Sequence, residues 1–306
     1  MTILVSGPTA SGKSALALAL AQRRAARGGA LIINADALQV FGGWRVLTAR
    51  PPAEDEAAAP HALYGHVPAH ERYSTGRWLR EVAPLLDACR ADGRTPILVG
   101  GTGLYFKALT EGLAEIPEPS PALRAAMEAR LAAEGLPAFA DALRAADPET
   151  AARIDLRNPR RVLRAWEVLE GEGRGLAAFH DATPPPLVPL AQALPIRLTP
   201  DRERLYAACD ARFDAMLESG ALEEAAEMAR RDPPPSAQAM QALGARELVA
   251  HARGELTLDE ARAQATMVTR NYAKRQLTWT RNQMTGWRSF ENGAEALAAL
   301  TAEGLA

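Results

Sequence analysis

A phosphate-binding loop lies close to the N-terminus of the sequence. The stretch GPTASGKS follows the apolar run Ile3–Val5 and matches the pattern G-x-x-x-x-G-K-[ST]. In this pattern backbone N–H groups surround a phosphate, the lysine adds positive charge and the hydroxyl ligates Mg²⁺. We predict that Ser14 binds Mg²⁺ and that phosphate is bound by the whole loop: Gly7, Pro8, Thr9, Ala10, Ser11, Gly12, Lys13 and Ser14. The loop alone does not distinguish a phosphoryl donor, a nucleotide switch and a diphosphate leaving group.

Two further polar residues follow apolar runs. Asp36 comes after Leu31–Ile33, and Thr102 lies in a GGTG turn after Ile97–Val99. An aspartate in this place can be a Mg²⁺ ligand, a general base or a helix N-cap. The GGTG turn can bring a hydroxyl and N–H groups to a phosphate, or it can be purely structural. A kinase or ATPase would often have an aspartate where Gly100 follows Val99, so phosphoryl transfer is disfavoured.

The spacing of these runs predicts the elements that position the polar residues. A helix should run from Lys13 to about Arg27 and end at Gly28, and Ile196–Leu198 is a fourth candidate strand. Short apolar strands that alternate with helices indicate an α/β fold, a P-loop NTPase-like doubly wound parallel sheet. Ligands of such sheets bind at the carboxyl ends of the strands. The phosphate loop, Asp36 and Thr102 should therefore meet in one crevice.

A proline-bracketed segment interrupts this α/β pattern. Pro119 and Pro121 open it, Pro184–Pro186 close it, and between them only helical periodicity is present. We predict a helical insertion domain at 119–193 and a core made of 1–118 and 194–306. The region from about Asp201 to Phe290 should also be helical.

Composition sets the class of protein. The chain has 306 residues, with 35 basic and 37 acidic side chains, so nucleic-acid binding would have to come from local patches. Its two cysteines are far apart and lack C-x-x-C spacing, which argues against a disulfide framework or a zinc site. No apolar run approaches the ~20 residues needed to span a bilayer. We expect a cytoplasmic protein, neither secreted nor inserted in a membrane.

Two basic clusters are candidate RNA-binding surfaces. In NPRRVLRAWEV, Asn158 can cap a helix on which Arg160 and Arg164 share a face, while Val162 and Leu163 point to a core. In TRNYAKRQLTWTRNQ, three cations share a face at helical spacing: Arg270, Lys274 and Arg281. A solvated helix face explains each cluster as well as an RNA contact does.

Seven stretches together resemble the tRNA dimethylallyltransferase family, also called tRNA isopentenyltransferases. In order they are GPTASGKS, NADALQVF with TARP, PILVGGTGLYFKAL, NPRRVLRAWEV, RFDAMLESGALEEA, ALGARELV with GELTLDEA, and YAKRQLTWTRNQ. The resemblance implies transfer of a dimethylallyl group from dimethylallyl diphosphate to N6 of the adenosine 3′ of a tRNA anticodon, with Mg²⁺. The phosphate loop would then hold an isoprenoid diphosphate as leaving group. We expect a monomer.

The resemblance also implies roles for individual residues. Asp36 would be the base that accepts the N6 proton, Thr102 would contact the reacting region, and Arg212 would bind the diphosphate. Contacts to tRNA would come from Asp36, Ala37, Leu38, Gln39, Thr102, Arg124, Arg160, Arg161, Val162, Leu163, Arg164, Gln241, Arg246, Lys274, Arg275, Gln276 and Arg281.

The sequence departs from the family pattern in nearby loops. Ala37 stands where the family usually has serine, Arg45 and Leu47 replace an acidic residue and a glycine, and Gly65 replaces an aspartate. Three alternatives remain: a small-molecule or nucleotide kinase, a non-catalytic RNA-binding or nucleotide-switch module, and an enzyme that prenylates a free adenylate. The long C-terminal helical region with its basic clusters favours RNA as the acceptor.

Overall fold

The computed structural model describes residues 1–306 and contains a six-stranded sheet in the order β3-β2-β4-β1-β5-β6. The strands are β1 Thr2–Ser6, β2 Ala30–Asn34, β3 His61–Ala62, β4 Thr95–Gly100, β5 Ala193–Leu198 and β6 Arg288–Phe290. Every pairing is parallel. The predicted parallel α/β fold is confirmed. All four predicted strands are present, and the two unpredicted ones are edge strands of two and three residues.

Thirteen α-helices accompany the sheet. They are α1 Lys13–Arg24, α2 Ala53–Ala58, α3 Thr75–Ala91, α4 Gly103–Glu111, α5 Pro121–Ala146, α6 Pro148–Arg153, α7 Pro159–Glu172, α8 Leu176–Asp181, α9 Arg202–Glu218, α10 Ala221–Arg231, α11 Ala245–Ala252, α12 Leu258–Gln283 and α13 Gly293–Ala302. The expectation of helices up to Phe290 was wrong at its end, because Arg288–Phe290 pairs with β5. None of these helices is both long and apolar enough to cross a membrane.

Apolar side chains cover both faces of the sheet. On one face Leu4 and Leu98 contribute to a core that includes the fully buried Trp78 and Phe106. On the other face the strands pack against α1 and α13 through residues such as Leu16 and Leu300. Because both faces are buried at β1, β2 and β4, these strands are nearly continuous apolar runs, which made them recognisable in the sequence. In β5 buried and partly buried residues alternate.

The chain divides into two compact units, Met1–Thr110 with Leu187–Ala306, and Glu111–Pro186. The second unit contains α5 to α8 and has its own core around Phe139 and Trp166. The predicted limits of the insertion, 119 and 193, are corrected at both ends. Ala114 and Ile116 pack against the core of the helical unit. Val188 belongs to the core of the sheet unit and donates a backbone hydrogen bond to the Leu109 carbonyl oxygen at 3.1 Å.

Candidate active site

The phosphate loop joins β1 to α1 at the carboxyl edge of the sheet. Ala10 and Gly12 have left-handed φ angles of 61° and 81°, which a tight loop around an anion requires. No side chain caps α1, and the first backbone N–H that bonds within the helix is that of Leu16, to Gly12 O at 3.1 Å. The backbone N–H groups between Gly12 and Ala15, at this positive helix end, are therefore free to bind an anion.

Lys13 is a buried cation at the base of this loop. Its side chain is only 8% exposed, and Nζ donates to Pro8 O at 3.2 Å. Burial lowers the pKa of Lys13 from 10.5 to about 8, an effect that the negative charge of Asp36 partly opposes. Arg212 adds a smaller lowering of this pKa by repulsion. A bound anion would offset both unfavourable effects.

Arg212 approaches the phosphate loop from α9. Its Nη2 donates to Thr9 Oγ1, and burial lowers the pKa of its guanidinium. Arg212 Nε is buried without a hydrogen-bond partner, and so is Ser11 Oγ in the loop itself. Buried polar atoms without partners are rare in folded proteins, so these two indicate a polar ligand at this place.

Asp36 and Thr102 are held together at the ends of β2 and β4. The backbone N–H of Asp36 donates to Asn34 Oδ1 at 2.8 Å, and Asp36 Oδ1 accepts from Leu38 N at 3.0 Å. Thr102 Oγ1 accepts from Ala37 N at 2.9 Å, and Thr102 N donates to Ala35 O at 3.2 Å. Since these bonds engage only Oδ1 of the carboxylate, Oδ2 remains available to accept a proton.

Two glycines allow this close approach. A Cβ at Gly100 would lie 2.0 Å from the carbonyl oxygen of Ala35, and one at Gly101 would lie 2.2 Å from Gln276 Nε2. Both distances are far below van der Waals contact, so a side chain at Gly100 would separate the two loops and one at Gly101 would displace the Gln276 amide. The GGTG turn is therefore needed to bring Thr102 beside the Asp36 segment.

Gln276 lies inside this site, on α12. It is 8% exposed, its Oε1 accepts from Thr9 N at 2.8 Å, and its Nε2 donates to Gly101 O at 2.9 Å. The predicted tRNA contact of Gln276 stays a prediction, while the structure adds a role within the protein, because both ends of its amide are hydrogen-bonded there. Nothing in the sequence indicated this role, since a helical glutamine among basic residues has the pattern of a solvated face.

The cleft beside these residues combines a charged end with an apolar lining. Its empty volume, which includes space open to solvent, is about 470 Å³. It is lined by Thr9, Asp36, Leu38, Leu47, Thr48, Cys209, Arg212, Phe213, Met216, Leu243, Thr269 and Tyr272. Sequence reasoning found four of these twelve residues, Thr9, Asp36, Leu38 and Arg212, and missed the other eight. Phe213 and Met216 stand next to Arg212 on α9, and that proximity was the only signal available.

Three tyrosines lie within the electrostatic influence of Asp36. Burial, and secondarily the negative charge of Asp36, raises the pKa of Tyr64, Tyr105 and Tyr272. These hydroxyls therefore stay protonated to a higher pH than an ordinary tyrosine does. Tyr105 is fixed by stacking on Trp78, with ring centroids 4.4 Å apart.

The other predicted tRNA contacts of the sheet unit differ in accessibility. The tRNA contact of Gln39 stays a prediction; its Nε2 donates to Thr48 O and Ala49 O, each at 2.8 Å, which holds the side chain in place. Arg246 donates to Pro235 O at 3.1 Å and is exposed. Arg270 is bonded to Asp210 by two hydrogen bonds, one of them Nε to Oδ1 at 2.8 Å. Four residues predicted to contact tRNA are exposed and make no hydrogen bond of this kind: Gln241, Lys274, Arg275 and Arg281.

The helical unit holds the remaining predicted contacts. Arg160 and Arg161 are exposed in the first turn of α7, which Asn158 caps. The prediction that Val162 and Leu163 point to a core is confirmed, because Val162 is 0% exposed and Leu163 packs against the same core. Val162 is therefore not accessible for the tRNA contact that the resemblance implied. Arg124 and Arg164 lie 3.5 and 3.4 Å from the carboxylate of the buried Glu167. That shared carboxylate fixes two of the predicted arginines beside each other.

The phosphate loop is compatible with a Mg²⁺ ion that arrives with a diphosphate. Ser14 is exposed in the first turn of α1, and no cluster of three or more His, Cys, Asp or Glu side chains could hold a metal by itself. Mg²⁺ typically keeps several waters and binds through one or two protein groups and phosphate oxygens. The Ser14 hydroxyl, together with the neighbouring orphaned Ser11 Oγ, fits that pattern.

Comparison with known proteins places this geometry in a family. The family model described as "IPP transferase" matches residues 39–283. The chain belongs to the IPP transferase family. A relative from Cereibacter sphaeroides named tRNA dimethylallyltransferase is 54% identical over 286 residues, 94% of each chain. Another of the same name, from Dinoroseobacter shibae, is 52% identical over 293 residues, 95% of each chain.

Solved structures of IPP transferases have the same fold. A full-length tRNA isopentenylpyrophosphate transferase from Bacillus halodurans is 32% identical and matches with a TM-score of 0.66 over 94% of this chain and 89% of that one. A eukaryotic dimethylallyltransferase described as acting on tRNA is 25% identical and matches with a TM-score of 0.76 over 91% of this chain and 69% of that one. The family resemblance seen in the sequence is confirmed.

Proposed function

We propose that the protein transfers a dimethylallyl group from dimethylallyl diphosphate to N6 of the adenosine 3′ of the anticodon in tRNA, releasing diphosphate. The observation that carries the proposal is the convergence of Thr9 of the phosphate loop, Asp36 and Arg212 on one partly apolar cleft. Thr102 is bonded to Ala37, next to Asp36. That cleft suits a donor with an anionic head and a short hydrocarbon tail. The protein would act as a monomer in the cytoplasm.

The diphosphate end of the donor would lie in the phosphate loop. Free N–H groups of α1, the Lys13 ammonium and the Arg212 guanidinium stabilise the negative charge that develops as the allylic carbon–oxygen bond breaks. Mg²⁺ held by Ser14 would neutralise further charge on the leaving group. Apolar residues such as Leu38, Phe213 and Met216 would surround the dimethylallyl chain.

The acceptor end of the cleft would hold the adenine. N6 forms a bond to the allylic carbon while the diphosphate leaves with the electron pair of the broken carbon–oxygen bond. N6 must also lose a proton, which Asp36 Oδ2 would accept. Thr102, whose oxygen is fixed by the Ala37 N–H, has its hydroxyl hydrogen free to donate a hydrogen bond to the reacting region.

The RNA must present an unstacked base to this cleft, which requires contacts to the surrounding nucleotides. On α12 the exposed Lys274, Arg275 and Arg281 would bind the RNA backbone. In the helical unit the exposed Arg160 and Arg161, together with the Arg124 and Arg164 pair, would bind it as well.

Mass spectrometry of nucleosides tests the proposal. Unmodified tRNA incubated with the protein, Mg²⁺ and dimethylallyl diphosphate should yield an adenosine heavier by one dimethylallyl group less one hydrogen. Parallel reactions with free adenosine monophosphate as acceptor, and with ATP as donor, should yield no product. An unchanged tRNA under conditions in which the protein binds both substrates would refute the proposal.

A further inference from the structure

The amide of Gln276 connects three parts of the sheet unit that are distant in sequence. It originates on α12, accepts from the phosphate loop at Thr9 and donates to the turn after β4 at Gly101. Thr102 follows Gly101 directly, and a Cβ built on Gly101 would also lie 3.3 Å from Asp36 Oδ2. One side chain thus sets the separation between the phosphate loop and the GGTG turn that carries Thr102.

The helix that carries Gln276 has two faces with different surroundings. Ala273, Leu277 and Thr280 are buried, whereas Lys274, Arg275 and Arg281 are exposed. A second contact comes from the half-buried Trp279, which shares a surface pocket with Lys274 and Arg275 and whose ring lies 2.0 Å from the position of a Cβ on Gly103. Any displacement of α12 by a ligand on its basic face would therefore be transmitted to both loops.

We propose that Gln276 is a positioning residue that couples RNA docking on α12 to the geometry of the diphosphate site. The inference rests on the proposed function and deepens it. Gln276 is only 8% exposed and does not line the cleft, and its amide bridges Thr9 N–H and Gly101 O. Its effect is exerted through the two loops, whose spacing determines how the donor carbon faces the acceptor nitrogen.

The chemistry of the amide explains why glutamine stands here. The site needs one acceptor and one donor at the end of a side chain long enough to reach between the loops. Glutamate lacks the donor for Gly101 O when it is ionised, and methionine has similar size but neither group. Methionine at this position should therefore preserve the packing of α12 while it releases both loops.

The coupling can be measured as a ratio of dissociation constants. Dimethylallyl diphosphate is titrated into the whole protein with and without an anticodon stem–loop RNA. Coupling between two sites is reciprocal and typically amounts to about 5-fold or more. We expect the wild-type ratio to fall in that range and the ratio for Gln276→Met to approach one. The control is Gln283→Met, a matched change on the exposed end of α12, which should keep the wild-type ratio.

Turnover separates positioning from a purely structural role. With both substrates saturating, Gln276→Met should lower kcat by about 10-fold or more, because misplacing reacting groups by about 1 Å can reduce rates up to 100-fold. Its affinity for RNA alone should change less than about 2-fold. The proposal would be overturned by a ratio of one in the wild-type protein, or by a Gln276→Met variant whose ratio and kcat are both unchanged. It would also be overturned if Gln276→Met lost RNA affinity equally with and without the diphosphate.

A second variant perturbs the same contact from its other side. Gly101→Ala places a methyl group 2.2 Å from Gln276 Nε2 and must displace the amide. It should reproduce the loss of coupling, while Gly286→Ala, whose methyl group would meet Leu190 at an ordinary 3.5 Å, should not. If a thermal melt shows that Gln276→Met is unfolded, the ratio of dissociation constants measured for Gly101→Ala tests the proposal instead. Binding ratios need no turnover, so failure of this inference and failure of the proposed reaction are distinguishable.

Discussion

At the scale of single residues, the site keeps a charge where water is largely excluded. Lys13 has a pKa of about 8 because it is buried, while the unfolded chain has the ordinary value of 10.5. Below pH 8 the ammonium is charged in both states, and the folded state bears the full desolvation penalty, about 3 kcal/mol for a shift of this size. Between pH 8 and 10.5 the unfolded state binds more protons, so this contribution to stability rises with pH.

Replacing this lysine should therefore stabilise the protein while it removes ligand binding. We expect Lys13→Met to raise the free energy of unfolding at pH 7 by about 1–3 kcal/mol, because the penalty outweighs the lost hydrogen bond to Pro8. Urea unfolding at pH 7 and pH 9.5 should show the difference from wild type shrinking at the higher pH. Calorimetry should detect no binding of inorganic diphosphate to the variant. A difference that stays equal at both pH values would contradict the assignment.

Asp36 is the residue whose chemistry can be removed with the least structural change. Asparagine retains an oxygen that can accept from Leu38 N–H, so the turn after β2 should survive Asp36→Asn. We expect kcat to fall by roughly 100-fold or more, because the N6 proton loses its acceptor. Diphosphate affinity should stay largely intact. The exposed Asp87→Asn on α3 serves as control, and near-normal turnover in Asp36→Asn would remove Asp36 from the mechanism.

At the scale of elements, α12 carries two functions on opposite faces. Its buried face holds Gln276, and its exposed face carries cations that differ in how far they are neutralised. Arg262 is bonded to Asp214 through two hydrogen bonds of 2.7 Å each, and Arg270 is bonded to Asp210. Lys274 is exposed and has no such carboxylate partner. Of the three cations predicted to share this face, Arg270 is therefore neutralised by a carboxylate. Lys274 is the best position at which to test whether this face contacts RNA.

Salt dependence identifies which cation of α12 contacts RNA. Each phosphate contact that is lost should reduce the log–log slope of RNA affinity against salt by about 0.7 to 0.9, because fewer counterions are released. Lys274→Ala should therefore weaken RNA binding and flatten this slope. Arg262→Ala, on the same helix, should leave the slope unchanged, and diphosphate affinity should be the same in both variants. A wild-type slope and affinity in Lys274→Ala would show that the face is only solvated.

At the scale of the whole molecule, the two units divide the residues of the site unequally. The phosphate loop, Asp36, Thr102, Arg212 and Gln276 all belong to the sheet unit. The helical unit Glu111–Pro186 has a core of its own, and the chain leaves and re-enters the sheet unit at adjacent points, since Val188 N bonds to Leu109 O at 3.1 Å. The helical unit can therefore be excised with a short linker.

Excision separates donor binding from RNA binding. A chain in which a Gly-Ser linker replaces residues 111–186 should fold, because the cores of the sheet unit are left whole. Calorimetry should show retained diphosphate binding, whereas gel-shift titration should show that tRNA binding is lost. Unaltered tRNA affinity would exclude the helical unit from recognition, and an unfolded core would show that the sheet unit depends on it.

The sequence by itself determined the local features of this protein. The strands β1, β2 and β4 are buried on both faces and so appear as apolar runs, and the phosphate loop is a contiguous sequence pattern. The helix capped by Asn158 and its buried Val162 face also follow from short-range spacing. Parallel topology then brings the ends of β1, β2 and β4 to one edge, so the meeting of the phosphate loop, Asp36 and Thr102 could be predicted.

Only the tertiary structure decided which polar residues are engaged and where the units divide. Gln276 is bonded to Thr9, 267 positions away, and Arg270 is bonded to Asp210, so neither could be assigned from its own helix. Sequence spacing shows which side chains share a face, whereas burial and hydrogen-bond partners depend on what packs against that face. For the same reason the prolines at 119 and 184–186 marked changes of composition, while the packing of Ala114 and Val188 set the true limits.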